Sequence, residues 1–323
     1  MAVTDATDAT DATDKTDGTD KTRTMGHDHE ASTSAPECAV VVVNHDAGEA
    51  LGSFLDSVRA EDVTEVIVVD NASVDGSSDG LAPDPTVRVV RTGANLGYGA
   101  GVNRGVAFTG AEFILVSNPD VSVHPGAVAA LVEAFAADPT LAFAGPCIRS
   151  VDGTRYPSAR RFPSMVVAAG HVVLGLFVPG NRFSRRYRMD DLDPSKTAAV
   201  DWVSGACFMA RHRALDELGG FDESYFMYME DVDLCWRAHR AGWTVAYVPA
   251  AVVTHLQGVS TARRPYRMLV AHHRSALRFT WRRAQGWHRL VVPAAATILG
   301  ARLAVACARQ ALGTVHRNAP RGD

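Results

Sequence analysis

CAVVVVN (38–44) and EVIVVD (65–70) decide the fold. Each is a run of apolar, mostly β-branched residues without polar alternation, the pattern of a strand buried on both faces. Between them, residues 48–60 carry helical spacing, and the alternation continues down the chain. VRVVR (87–91) predicts a strand, YGAGVNRGVAFT (98–109) a helix and EFILVSN (112–118) a strand. VHPGAVAALVEAFAAD (123–138) predicts a helix with proline near its start, and LAFAGP (141–146) another strand. Strands alternating with helices predict an α/β fold, a mainly parallel sheet sandwiched by helices. Ligands of such sheets bind beyond the carboxyl ends of strands, and Asp70 and Asp120 stand at or just past such ends. Residues 150–200, rich in Arg and Pro, predict loops over the site. DWVSGACFMAR (201–211) resumes as strand, and YMEDVDLCWRAHRAG (228–242) reads as a helix. There Val232, Trp236 and His239 or Arg240 share one face, and WTVAYVP (243–249) is the last strand.

Hydrophobic residues make up 47% of the 323 and charged residues 21%, a composition that suits a folded chain with a sizeable core. The net charge of -4 conceals an asymmetry. Residues 1–37 hold nine acids and three bases, whereas Arg263 to the end holds twelve Arg and one acid, Asp323. The acidic end opens with TDATDATDATDKTDGTDKT (4–22), a low-complexity repeat without apolar periodicity, so disorder is expected through residue 36. Met25 follows the repeat and is an alternative start; His27-Asp28-His29, in that tail, is not expected to form a metal site. Five Cys without CxxC or metal-type spacing predict free thiols in a reducing compartment. The polar N-terminus has no apolar signal core, so a cytosolic protein, or one on the cytosolic face of a membrane, is expected.

Four motifs carry chemistry. In VVDNASVDGS (68–77), Asp70, Asn71 and Ser73 offer acceptors for a base or ribose and hydroxyls for a phosphate; an Asx-rich turn uses the same residue types. In NLGYGAGVNRG (95–105), Gly97, Gly99, Gly101 and Gly105 permit close backbone approach, and Asn95 and Asn103 supply amides. That segment lacks the GxGxxG spacing directly after the first strand, and tight helix packing is its alternative. Asn44, closing the first strand, joins Asp70, Asn71, Ser73, Asn95, Gly97 and Asn103 as candidate nucleotide-binding residues. In SNPD (117–120), Asp120 can bind Mg2+ or Mn2+ through oxygen beside a diphosphate, and can equally cap the following helix. In FDESYFMYMEDVDLCWR (221–237), Glu230 and Asp231 open a helix whose dipole favours ionised carboxylates. A base that takes a proton from a hydroxyl needs that state, although dipole capping alone also places acids there.

In this order, VVDNAS, N-x-G-x-x-x-G-x-N-x-G, NPD, G-G-F-D-E and Y-M-E-D-V-D-L-C-W-R resemble the family 2 glycosyltransferases of the GT-A fold over about residues 38–260. The likeness is greatest to the rhamnosyltransferase-like branch of bacterial cell-wall assembly. It implies a single displacement with inversion at the anomeric carbon. Asp70 would then contact the nucleotide base, with Asn71 and Ser73 nearby, and Asp231 would be the general base with Glu230 beside it. Asp120 would stand in the DxD position, written here Asn118-Pro119-Asp120, which leaves it the main acid. In related enzymes a His near the place of His255, in VVTHLQGVS (252–260), completes the metal shell; a neutral imidazole is a sound ligand, and a structural His is the alternative. Trp202 and Gly205 are expected in the sugar or acceptor pocket, a packed core strand being the alternative. By resemblance the donor is dTDP-β-L-rhamnose and the acceptor a polyprenyl-diphosphate-linked N-acetylglucosamine. Another nucleotide sugar, galactofuranose or N-acetylhexosamine, passed to a polysaccharide is the alternative. A sugar nucleotidyltransferase would carry a basic glycine-rich loop after the first strand, and NHDAGEA (44–50) has no Lys or Arg. Paired Glu230 and Asp231 speak against a non-catalytic binding module.

Beyond residue 260 the composition changes again. Arg263, Arg264, Arg267, Arg274, Arg278, Arg282, Arg283 and Arg289 alternate with Tyr266, Phe279, Trp281 and Trp287. LVVPAAATILGARLAVACARQAL (290–312) is long enough to span a bilayer, but Pro293 and Arg302 interrupt it. Residues 37–260 thus read as the catalytic domain and 261–323 as a helical extension lying on the anionic inner face of the cell membrane. No nucleic-acid motif accompanies the arginines, so no nucleic-acid partner is expected. A helix packed on the domain, or a homodimer contact, is the alternative.

Overall fold

The computed structural model describes residues 37–79, 81, 84–162, 167, 174, 178, 180–256 and 265–318, with side chains to 311. The repeat tail expected to be disordered lies outside them. Strand β1 (Cys38–Asn44) is buried along its whole length. Ala39, Val41 and Val43 enter one core and Cys38, Val40 and Val42 the other, the period of two that a strand between two helical layers requires. Helix α1 (Ala50–Val58) buries Leu51, Phe54, Leu55 and Val58 on the second face. Strands β2 (Glu65–Asp70) and β3 (Val87–Arg91) follow, then helix α2 (Tyr98–Val106), which packs on the first face through Tyr98 and Val102. The chain continues through β4 (Phe113–Ser117), β5 (Val121–Val123), α3 (Ala127–Ala137) and β6 (Leu141–Arg149).

The second half is built from β7 (Ala159–Arg160), α4 (Arg182–Arg188), β8 (Ala198–Ala199), β9 (Trp202–Val203) and β10 (Cys207–Arg211). Helices α5 (His212–Leu218) and α6 (Glu230–Arg240) and strand β11 (Thr244–His255) complete it. The main sheet runs β3-β2-β1-β4-β10-β6-β11-β5, with β8 on β11. β3, β2, β1 and β4 are mutually parallel, as are β6 and β11, whereas β10, β5 and β8 run antiparallel. The expected sheet between helical layers is therefore present, with antiparallel insertions. β1 pairs with β2 on one side and β4 on the other, so the strand order reverses there and a crevice opens at their carboxyl ends.

Several boundaries differ from expectation for local reasons. The helix expected from residue 123 begins at Ala127, because Val123 still belongs to β5 and Gly126, at φ 81°, turns the chain. The strand expected over 201–211 is broken by Ser204-Gly205-Ala206 into β9 and β10. The last strand does not stop at Pro249. A register shift between Val248 and Val252 takes the proline out of the ladder, and β11 continues to His255, which pairs with Val121. Within the expected loop region, β7, β8 and α4 are regular. Cys38, Cys147, Cys207 and Cys235 are buried free thiols and Cys307 is half-buried, as expected. Burial pushes the Cys38, Cys207 and Cys235 thiols up to about 12, so they stay protonated and unreactive.

Helix α7 (Pro265–Arg283) packs against the first face through Phe279, and α8 (Val292–Asn318) lies against α7. Pro293 does not interrupt α8, because it falls in the first turn, where no intrahelical N–H is needed. The arginines of the basic run divide their tasks. Arg282 pairs with Asp222 and Asp233, Arg278 lies 3.6 Å from Asp222, and Arg267 stacks over Phe226.

Candidate active site

A cavity of about 730 Å³ opens at the carboxyl ends of β1, β2 and β4. One wall is the start of α6. Its approach is strained: Tyr228 and Met229 adopt φ of 69° and 67°, a left-handed conformation that costs side chains about 1–2 kcal/mol each. The strain turns the chain sharply enough to aim the first acids of α6 into the cavity. Asp231 is held at both oxygens, accepting from the Gly205 N–H at 2.9 Å and the Val232 N–H at 2.8 Å. A Cβ on Gly205 would meet the Asp231 Cβ at 3.3 Å, so glycine lets that backbone approach. Burial raises the Asp231 carboxyl, and the two N–H groups and the Arg160 charge oppose it. Glu230 is only 5% exposed, and its Oε2 has no hydrogen-bond partner among the described residues. Burial first, and the Asp231 charge second, push it well above the ordinary glutamate value. Of two adjacent carboxyls, Asp231 thus has the setting of the ionised member.

Asp120 and His255 share another part of the cavity. Asp120 follows β4 and His255 ends β11, and their Oδ1 and Nε2 stand 3.0 Å apart. The Leu256 N–H donates to the Asp120 carbonyl at 2.9 Å, so the two loops are tied together. Asn118 Nδ2 lies 3.5 Å from the same imidazole nitrogen. Among the described residues no three His, Cys, Asp or Glu side chains cluster as a complete ligand set.

The candidate nucleotide residues separate into two groups. Asn71, Asn95 and Gly97 line the cavity. Gly97 stands at φ 91°, and a Cβ there would meet the Phe226 carbonyl oxygen at 2.3 Å, so only glycine fits. The Asn71 amide donates to the Gly97 carbonyl at 3.0 Å and accepts from the Leu96 N–H at 3.0 Å, which fixes this loop. Asn44, Asp70, Ser73 and Asn103 do not line the cavity. Asn44 donates to Ser73 and Ser77 at 3.0 and 2.8 Å, and the Asp70 carboxylate accepts the Ser73 N–H at 3.2 Å. These three stitch the loops after β1 and β2 to one another. Asn103 donates to the Phe221 carbonyl and accepts from its N–H, tying α2 to the loop ahead of α6.

Trp202 lines the cavity with its buried Nε1 unpartnered. Sequence reasoning missed its neighbours Arg160, Tyr156 and Tyr187, which line the same wall, and His45 and Asp46 after β1. It also missed Arg267, Met268 and His272, by which α7 reaches the cavity. The Gly-rich start of α2 and the acids of α6 announced themselves by spacing; these residues come from segments with no motif.

Comparison with known proteins identifies the family. Residues 39–219 match the model of glycosyl transferase family 2. The chain is 43% identical to the N-acetylglucosaminyl-diphospho-decaprenol L-rhamnosyltransferase of Mycobacterium tuberculosis over 264 residues, covering 77% of this chain and 86% of that one. The mannosyltransferase PcManGT of Pyrobaculum calidifontis, solved with GDP-Man and Mn2+, superposes with a TM-score of 0.51 at 20% identity, covering 88% of this chain and 81% of that one. GalNAc-T7, solved with UDP, GalNAc and Mn2+, superposes at 0.52 and 15% identity; 68% of this chain spans 44% of that one. These two likenesses speak for the fold alone. With more than half of its length inside the family model and a relative this similar, the chain belongs to glycosyl transferase family 2.

Proposed function

We propose that the chain is an inverting hexosyltransferase that moves L-rhamnose from dTDP-β-L-rhamnose to a polyprenyl-diphosphate-linked N-acetylglucosamine in cell-wall synthesis. One observation carries the chemistry. A helix-start carboxylate held by two backbone N–H groups shares a single cavity with a carboxylate–imidazole pair at strand ends. The 43% identity to a rhamnosyltransferase named for its N-acetylglucosaminyl-diphospho-decaprenol acceptor supports the choice of sugar and acceptor.

Asp231 takes the proton of the attacking hydroxyl. That oxygen bonds to the anomeric carbon from the face opposite the diphosphate, whose C–O bond breaks and whose electron pair leaves with dTDP. Gly205 and Val232 orient the base, and its burial strengthens it, because a carboxylate of raised pKa accepts a proton more readily. Asn71, Asn95 and Gly97 form the nucleotide loop, with Asn44, Asp70, Ser73 and Asn103 as its scaffold. Asp120 and His255 fit a divalent cation: one carboxylate oxygen and one imidazole nitrogen face the cavity at 3.0 Å, the spacing of neighbouring ligands around Mg2+ or Mn2+. When bound, such an ion neutralises charge on the leaving diphosphate.

The C-terminal helices seat the enzyme on the inner face of the cell membrane. Gly286–Ala311 is long and apolar enough to cross a bilayer, and Val292 is its one buried residue. Trp281, Trp287 and Leu290 are exposed at 55%, 68% and 81% beside Arg289, the mixed apolar and basic surface that anionic lipid attracts.

Replacing Asp231 by Asn is the test of function. Transfer from dTDP-rhamnose should fall about 10²- to 10⁴-fold while dTDP still binds. Near-normal turnover would remove Asp231 from the role, and transfer from another nucleotide sugar in preference would overturn the donor.

A further inference from the structure

Arg160 ends β7 directly across from Trp202 in β9. Its guanidinium lies 4.9 Å from the Trp202 ring, 5.4 Å from Tyr187 and 5.7 Å from Tyr156. Nε donates to the Pro157 carbonyl at 2.8 Å and Nη2 to the Tyr156 hydroxyl at 3.2 Å. Among the described residues Arg160 forms no ion pair, and the acid that feels its charge is Asp231. Two other half-buried arginines do have an acid: Arg237 has Asp233 at 2.8 Å, and Arg211 has Glu112 at 3.3 Å. Beside Arg160, the buried Nε1 of Trp202 is a second donor without an acceptor. A cation enclosed by rings and an orphaned N–H on one cavity wall together ask for oxygen acceptors that carry negative charge.

We infer that Arg160 binds the diphosphate of the acceptor and makes the enzyme select pyrophosphoryl-linked sugars over neutral glycosides. The inference rests on the rhamnosyl-transfer reading above. The donor's diphosphate belongs beside Asp120 and His255, where a cation can neutralise it, so Arg160 is left for a second anion. In a diphosphate-linked N-acetylglucosamine the attacking hydroxyl and the diphosphate stand on the same pyranose ring. A hydroxyl placed at Asp231 therefore brings the diphosphate within one ring's width, where Arg160 already acts on that carboxylate. A guanidinium suits the task because its planar fork meets phosphate oxygens two at a time while its face rests on aromatic rings. The same cavity runs on past Tyr228, whose ring meets His272 of α7 edge-on at 5.3 Å, toward the helices assigned to the membrane.

The test compares two acceptors with the same short prenyl tail, one N-acetylglucosaminyl diphosphate and one neutral N-acetylglucosaminide, with dTDP-rhamnose as donor. The wild-type protein should prefer the diphosphate in kcat/KM by about 10- to 100-fold, the range of charge-assisted hydrogen bonds. In Arg160→Gln the ratio should collapse toward one, mainly through KM, and Arg160→Lys should restore part of it. The dTDP affinity should hold, which also shows that the variant is folded. A retained ratio in Arg160→Gln would overturn the inference alone. So would equal losses on both acceptors, the mark of a structural role, or weakened dTDP binding, the mark of a donor-phosphate contact. Failure of the wild-type protein to use either acceptor would overturn the transfer reading and this inference with it.

Discussion

Replacing Asp233 by Asn should destabilise the protein without removing the base. Asp233 lies one residue pair beyond Asp231 in the same motif, but it is fully buried on the side of α6 away from the cavity. Its Oδ2 accepts from Arg237 Nε at 2.8 Å and its Oδ1 faces Arg282 Nε at 3.4 Å. Arg237 spends its other nitrogens on the Leu218 and Gly220 carbonyls, both at 2.7 Å, so among the described residues the carboxylate is its one countercharge within ion-pair distance. Removing one partner of a buried pair costs about 3–5 kcal/mol. With the Arg237 side chain 15% exposed, water recovers some of the loss, and about 3 kcal/mol is expected. Arg282→Gln should cost about 1 kcal/mol, because its side chain is 36% exposed and Arg237 still neutralises Asp233. With a urea m-value of about 3 kcal/mol/M, the midpoints should fall by about 1 M and about 0.3 M. Tryptophan fluorescence in a urea titration reads both, and kcat of folded Asp233→Asn should stay within about fivefold of wild type. Equal midpoints for the two variants would refute the assignment of Arg237 as the principal partner. Full stability with lost transfer would move Asp233 into the chemistry.

Two further outcomes are expected. A carboxyl raised on folding, as Glu230 is, contributes stability below its unfolded value of 4.5 and loses it as pH rises through the folded one. The thermal midpoint of Glu230→Gln should therefore gain on wild type as the pH rises above 4.5; a gap that narrows with rising pH would contradict the burial argument. Leu290→Asp with Ile298→Asp changes exposed positions of the C-terminal segment and should weaken co-sedimentation with phosphatidylglycerol vesicles at least tenfold. Undiminished binding by that variant would remove this segment from the membrane.

The layered sheet was legible because β1, β2 and β4 are buried on both faces, and their polar residues fall at the strand ends, where they do not confuse the pattern. The short pieces were not. β7, β8 and β9 have two residues each, too few for any period, and they exist because neighbouring strands offer them a ladder. The run of β11 past Pro249 was hidden for a different reason. Proline signals a stop, and only the register shift against β6 lets the strand go on. That continuation brings His255 to Asp120, so the metal-type pair depends on a bulge that the spacing of VVTHLQGVS does not announce.

The acids of the site were legible for their residue types, and their surroundings were not. Asn44, Asp70, Ser73 and Asn103 share the composition of ligand-binding residues, yet the Asn44 amide nitrogen, Asp70, Ser73 and Asn103 are engaged by loop carbonyls, N–H groups and hydroxyls, while the buried Asn44 Oδ1 has no partner among the described residues. Spacing cannot tell an asparagine that meets a ligand from one that wires the loop presenting it. The turn ahead of α6 makes the point most sharply. Tyr228 and Met229 hold a conformation that no short-range preference supports. What holds it is distant in sequence: the Tyr98 N–H donates to the Phe226 carbonyl at 3.1 Å, and Ser275 of α7 donates to the Met227 carbonyl at 2.9 Å. Gly97 must be glycine for the first contact to form, and α7 must dock for the second. The helix that reads from sequence as the start of a basic appendage thus helps aim Glu230 and Asp231 into the cavity, and removing it should disturb the base.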